Sequence, residues 1–301
     1  MTKTVATPAA RASTTGTLVR TPSGVAGLGG IGLVLAGGVS VQFGSAVAAL
    51  LFPRAGAFGV VSLRITIAAL LLSAVCRPRL RGRSGTDWAV AGVFGLALGG
   101  MNVLFYQAID RIPLGPAVTL EVLGPLLLSV VGARRARGLL WAGLALAGVL
   151  LLGRSGLAGL DPAGVAFALA AGAMWAAYIV FGARAGARFP GLDGLAVAMA
   201  VAALVSLPLG IGSAGGTLLE PGVLALGVAI AVLSSGLPYT LELLALRRLP
   251  TETFAVLTSL APALATLAGF LVLGQTPTVP ACAGIALVVA ASAGAVRGGA
   301  H

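Results

Sequence analysis

Charge is what this sequence has least of. Only 9% of its 301 residues are charged and 58% are hydrophobic, and mean hydropathy is strongly positive. A soluble domain carries roughly 25% charged residues. A soluble fold of this size could not place so much apolar surface, whereas lipid accepts an apolar exterior, so the chain reads as an integral membrane protein. Histidine is reduced to His301 and lysine to Lys3. There is no Ser-His-Asp set, zinc spacing or phosphate loop, which excludes soluble-type catalysis. The expectation is no enzyme, no catalytic residue, no metal and no cofactor. Cys76 and Cys282 are isolated and form neither a metal spacing nor a disulfide framework. The net charge of +11 does not point to nucleic acid, because the arginines lie in short clusters between apolar runs with no basic domain outside them.

What the chain does have is apolar runs. Ten segments stand out, at roughly 27–51, 58–76, 88–108, 112–131, 138–153, 162–182, 192–211, 221–245, 252–273 and 278–296. Residues 1–23 are polar and read as a disordered cytoplasmic tail. The first apolar run is too long for a cleavable signal peptide. With the N-terminus placed in the cytoplasm and the spans alternating, fifteen basic residues fall on the cytoplasmic side. Arg54, Arg111 and Arg154 fall outside. Fifteen against three is a strong positive-inside bias. It predicts ten transmembrane helices in a cell membrane with both termini inside.

Shifting the sequence by 137 residues aligns its halves. Phe52-Pro53 meets Phe189-Pro190, Arg111 meets Arg248, Pro113 meets Pro250 and Pro125 meets Pro262. Alanine and leucine matches are cheap in this composition, but three prolines and an arginine in one register are not. The fold class is therefore an all-α integral membrane protein of two five-helix repeats, residues 24–155 and 160–297. Five is odd, so the second half enters the membrane from the opposite side. Inverted repeats of this kind are the architecture of alternating-access transporters, with the site near the midplane.

Ionisable groups inside spans cost about 2.5–3.5 kcal/mol each on insertion scales and default to functional candidates. Three qualify: Arg64, Glu121 and Glu242. Glu121 lies mid-helix in PLGPAVTLEVLGPLLL, where Pro125 leaves the Glu121 carbonyl without its helical donor. It suits a proton or a substrate ammonium, or else pairs with Arg64 to join two helices. Arg64 attracts a substrate carboxylate or neutralises Glu121. Glu242 follows Tyr239 by three residues on one helical face, near the cytoplasmic end, where it serves a site or pairs with Arg247 or Arg248. Asn102 and Tyr106 form an i, i+4 pair, with Gln42 mid-helix in span 1 and Trp175 and Tyr178 deep in span 6. These groups donate hydrogen bonds or offer aromatic faces to a cation. Interhelical hydrogen bonding is the plainer role for the same residues.

The strings GGMNVLFYQAIDRIPLGPAVTLEVLGPLLLSV and AVLSSGLPYTLELLALRRLPTETFAVLTSLAPALATLAGFLVLGQ resemble the threonine/homoserine exporter type of the EamA family, in the drug/metabolite transporter superfamily. QFGSAVAALLFP, GVVSLRITIAALLL and AGAMWAAYIVFGARAG resemble it more weakly. The resemblance implies ten helices, two EamA repeats, and efflux of small amino acids or related metabolites driven by proton exchange. It implies a substrate site of Gln42, Arg64, Asn102, Tyr106, Glu121, Trp175, Tyr178 and Tyr239, with proton coupling at Glu121 and Glu242. The partners are then a small-molecule substrate, the proton and the lipid bilayer. This chain departs from the pattern at Ala49, Ala261 and Gln275, where the family often carries charge. An exporter of drugs or other metabolites shares the fold, and a non-transport membrane subunit is the remaining alternative.

Overall fold

The structure is a computed structural model that describes residues 24–79, 81–133, 136–152, 160–246, 248–249, 254 and 257–299. The tail expected over 1–23 lies outside them. Among the described residues all regular structure is helical. Twelve α-helical pieces are described: α1 Gly24–Leu50, α2 Phe52–Cys76, α3 Gly85–Ile109, α4 Leu114–Glu121, α5 Leu123–Ala133, α6 Ala136–Leu152, α7 Pro162–Arg188, α8 Asp193–Ala214, α9 Pro221–Ala231, α10 Leu237–Leu246, α11 Ala261–Leu273 and α12 Val279–Gly299.

Five stretches are long and apolar enough to cross a membrane: residues 29–50, 52–76, 85–109, 162–188 and 193–219. Shorter apolar helical stretches lie at 114–128, 140–149, 221–236, 261–273 and 279–294 among the described residues. Each coincides with one of the apolar runs of the sequence. Helix α2 starts earlier than its run suggests. Pro53 sits in its first turn, where no N–H is needed, and Gly56, at φ 65° and ψ 161°, kinks it before the straight part begins.

Proline shapes two other elements. Between α4 and α5 the helix loosens at Val122, because Pro125 cannot donate to the Glu121 carbonyl. Between α9 and α10 the chain widens into a π-helical turn over Val232–Gly236, ahead of Pro238. Such turns often mark functional positions.

The helix starts are fixed by local chemistry. At α3, Ser84 Oγ accepts from the Asp87 N–H at 3.2 Å, and the Asp87 carboxylate accepts from the Ser84 N–H at 3.0 Å. This reciprocal box satisfies two orphan donors. At α7 the Asp161 carboxylate accepts from the Ala163 N–H at 2.9 Å, with Pro162 following.

Helix α3 packs on α7 and α8, and α2 packs on α8 and α9. Helix α6 packs on α12, α4 on α11 and α7, and α1 on α10 and α11. One continuous core runs through the interior, from Ala46 on α1 through Tyr106 and Leu120 to Val288 on α12. At one end the loop after α2 is bound to the turn after α7. Arg188 pairs with Asp87 at 3.0 Å, and Asp193 accepts from the Arg79 N–H at 3.1 Å and faces Arg83 at 4.0 Å. Arg83 also donates to the Arg188 carbonyl and lies over the Phe189 ring.

Candidate substrate site

A partly buried polar network starts at Arg64, in the middle of α2. Its Nη2 donates to Asn102 Oδ1 at 2.5 Å, and its Nη1 donates to the Tyr106 hydroxyl at 2.9 Å. The guanidinium also lies 5.3 Å from the centre of the Tyr106 ring. Asn102 and Tyr106 reach it together because they are one turn apart on α3 and share a face. Asn102 is itself fixed, with Nδ2 donating to the Leu98 carbonyl at 2.8 Å. Tyr106 is fully buried, its ring 5.7 Å from that of Phe52. Arg64 is thus oriented by two α3 side chains. Its Nε is buried and has no hydrogen-bond partner among the described residues.

Glu121 ends α4 and is buried. It is not paired with Arg64 in an ion pair, nor does any described donor bond its carboxylate. The polar partners described for Arg64 are therefore Asn102 and Tyr106 and not Glu121.

A residue that sequence reading misses fixes where Glu121 sits. Gly172 of α7 faces the Glu121 backbone carbonyl, and a Cβ built on Gly172 falls 2.5 Å from that oxygen. Gly124 meets the Gly172 backbone in turn. Two glycines therefore let α7 lie directly on the loosened turn between α4 and α5. Nothing in AGAMW distinguishes Gly172 from the chain's 44 other glycines, since 45 are present in all.

Gln275, one of the departures seen in the sequence, also bears on α4. Its Oε1 accepts from the Leu114 N–H at 3.0 Å, capping α4 from the far side of α11. The amide therefore supplies the acceptor for this cap. Gln107, next to Tyr106, is engaged elsewhere: Arg111 Nη1 donates to its Oε1 and to its carbonyl.

Of the remaining sequence candidates, Gln42 is buried and its Oε1 has no described partner. Trp175 and Tyr178 are half-buried against the main core. Tyr178 lies 5.1 Å from the Phe94 ring and borders a cavity of about 300 Å³ with Gly182, Phe189 and Leu195. None of these three makes a hydrogen bond to the Arg64 network. Tyr239 and Glu242 lie on α10, which packs on α1, and their side chains are outside the described residues. One turn before α10, Ser40 Oγ donates to the Leu233 carbonyl at 2.6 Å, and Ser234 Oγ is buried without a described partner.

The described residues are helical throughout their regular structure, and five of their helices are long and apolar enough to cross a membrane, the make-up of a multi-pass membrane protein. Comparison with known proteins makes the assignment specific. The chain is 44% identical over 259 residues to the threonine/homoserine exporter RhtA of Salmonella typhimurium strain LT2, covering 85% of this chain and 87% of that one. It is 42% identical over 266 residues to the threonine/homoserine exporter RhtA of Escherichia coli K12, covering 87% and 89%. The model of the EamA-like transporter family matches residues 162–297. One solved crystal structure has a TM-score of 0.55 at 24% identity, covering 88% of this chain and 98% of that one, and shows the fold alone. The chain belongs to the EamA-like transporter family, whose curated members matched here are exporters and not enzymes.

Proposed function

We propose that this protein exports small amino acids such as threonine and homoserine, or closely related metabolites, across the cell membrane in exchange for protons. The single observation that carries the substrate class is 42–44% identity over most of the chain to threonine/homoserine exporters. The site chemistry agrees with it. The Nε edge of Arg64 receives the substrate carboxylate, and Glu121 receives the ammonium or, in its absence, a proton. Gln42, Trp175, Tyr178 and Tyr239 line the path, and Glu242 is a second proton-carrying group.

Alternating access comes from two inverted halves of five spans. The packing supports this. Exchange α1 with α7, α2 with α8, α3 with the α9–α10 unit, α4–α5 with α11, and α6 with α12. The contacts α2–α8, α4–α11 and α6–α12 then map onto themselves. The contact α3–α7 becomes α10–α1, α3–α8 becomes α9–α2, and α4–α7 becomes α11–α1, all of which are present. Both termini are cytoplasmic, as the arginine distribution requires.

The decisive test is flux in proteoliposomes under an imposed pH gradient. Threonine or homoserine leaving against inward protons is the expected result. Transport of lipophilic cations with no amino-acid flux would replace this reading with a drug exporter. Within the site, Asn102 and Tyr106 act by positioning Arg64. Asn102→Ala removes a hydrogen bond to a charged group and leaves the guanidinium loose. KM for threonine rises about tenfold or more, with the maximal rate changed much less. An equal fall in rate with KM unchanged would contradict the positioning role.

A further inference from the structure

An apolar groove of about 280 Å³ runs along the last two turns of α2, outside the site described above. Ala68, Leu72, Val75 and Cys76 form one wall. Leu192 and Met199 of the α8 region form the second, and Ser235 and Gly236 of the π-helical turn close it. Val75 is 81% exposed at its edge.

A basic loop leads on from the α2 wall of this groove. Arg77 follows Cys76 directly and is the one described non-glycine residue with positive φ, at 45°. Its left-handed conformation ends α2, with its N–H bonded to the Ser73 carbonyl. Two residues on, the Arg79 N–H bonds Asp193, the neighbour of Leu192 on the opposite wall, at 3.1 Å. The loop is thereby tied to both walls. Asp193 is occupied by this bond and by Arg83. The guanidinium groups of Arg77, Arg79 and Arg81 are exposed and have no partner among the described residues. An L-residue held in the left-handed region is costly and persists where its surroundings require it.

We infer that this groove binds one anionic phospholipid, with an acyl chain along α2 and the phosphate held by Arg77, Arg79 and Arg81. Charge complementarity selects the occupant. The slot is apolar for the chain and ends in three uncompensated arginines at headgroup level, and basic residues at that level each favour anionic lipid. The lipid abuts the π-helical turn, so its binding bears on the element that joins α9 to α10. The inference needs the bilayer placement proposed above but not amino-acid transport.

Native mass spectrometry of the detergent-purified chain tests it, with dioleoyl phosphatidylglycerol and dioleoyl phosphatidylcholine as probes. One phosphatidylglycerol per chain is retained in preference to phosphatidylcholine, and excess inorganic phosphate does not displace it. Combined Arg77→Gln, Arg79→Gln and Arg81→Gln weakens retention about a hundredfold, at roughly fivefold for each arginine. Gly236→Leu, at a position with open space around a Cβ, fills the groove and weakens retention about tenfold. If the triple variant is not recovered folded, Arg81→Gln alone gives about a fivefold loss. Equal retention of the two lipids, displacement by phosphate, or variants that hold phosphatidylglycerol like the parent chain each overturn the inference. Because retention is measured without substrate, a chain that binds the lipid but moves no threonine refutes only the transport reading.

Discussion

Glu121→Gln reduces proton-driven threonine export to the level of protein-free liposomes while leaving the chain folded. The substitution keeps side-chain volume and removes the ability to carry a proton or a negative charge. Glu121 has no hydrogen-bond or ion-pair partner among the described residues, so no structural bond is lost. An amide also places no unpaired charge in the interior, so the variant remains folded or gains stability. What disappears is the attraction for the substrate ammonium and the exchange of that ammonium for a proton. In the proposed cycle Glu121 serves both the ammonium and the proton, so the expected loss is the full coupled rate and not a fraction of it. Flux is followed with labelled threonine under an inward proton gradient, alongside a thermal unfolding scan of the same preparation. Full flux in the folded variant would move coupling away from Glu121, with Glu242 the next group to test.

The second large effect is structural. Gly172→Leu prevents α7 from seating on the turn between α4 and α5, and the chain loses most of its folded, monodisperse yield. Even the first carbon of a side chain at 172 falls 2.5 Å from the Glu121 carbonyl oxygen and 3.2 Å from its carbon. Both are backbone atoms and cannot swing aside. Overpacking of this kind costs about 1–3 kcal/mol for small insertions. Gly172→Ala therefore lowers the unfolding temperature measurably, and Gly172→Leu goes well beyond it. Size-exclusion profiles and thermal unfolding of the two variants check the order. A Gly172→Leu chain as stable as its parent would mean that α7 does not contact this turn.

The apolar runs and the proline breaks were legible in the sequence because each rests on local chemistry. A run of apolar residues reports a span, and a proline reports the carbonyl it leaves unbonded. Pro125 thus identified the loosened turn at Glu121. The widening into a π-helical turn over Val232–Gly236 was not legible; there α1 meets the turn through the Ser40 bond to the Leu233 carbonyl. The partners of Arg64 were only half legible. The i, i+4 spacing put Asn102 and Tyr106 on one face, but that this face meets α2 is a tertiary fact. The sequence offered Glu121 as an alternative partner, and the chain uses α3 instead. Gly172 was illegible in a chain this rich in glycine. Gln275 showed only as a departure from a family pattern, and its bond to Leu114 spans 161 residues.

That bond bears on how acidity acts on α4. The helix carries Glu121 at one end and is capped at the other by Gln275, an amide that neither gains nor loses a proton between acid and alkaline solution. A carboxylate at 275 would put a titrating group at each end of this eight-residue helix, one holding its start and one at its close. With the amide, the cap has the same strength at every pH. The acid-base behaviour of this helix therefore belongs to one side chain, and a pH profile of transport can be read against a mounting that does not itself respond to protons.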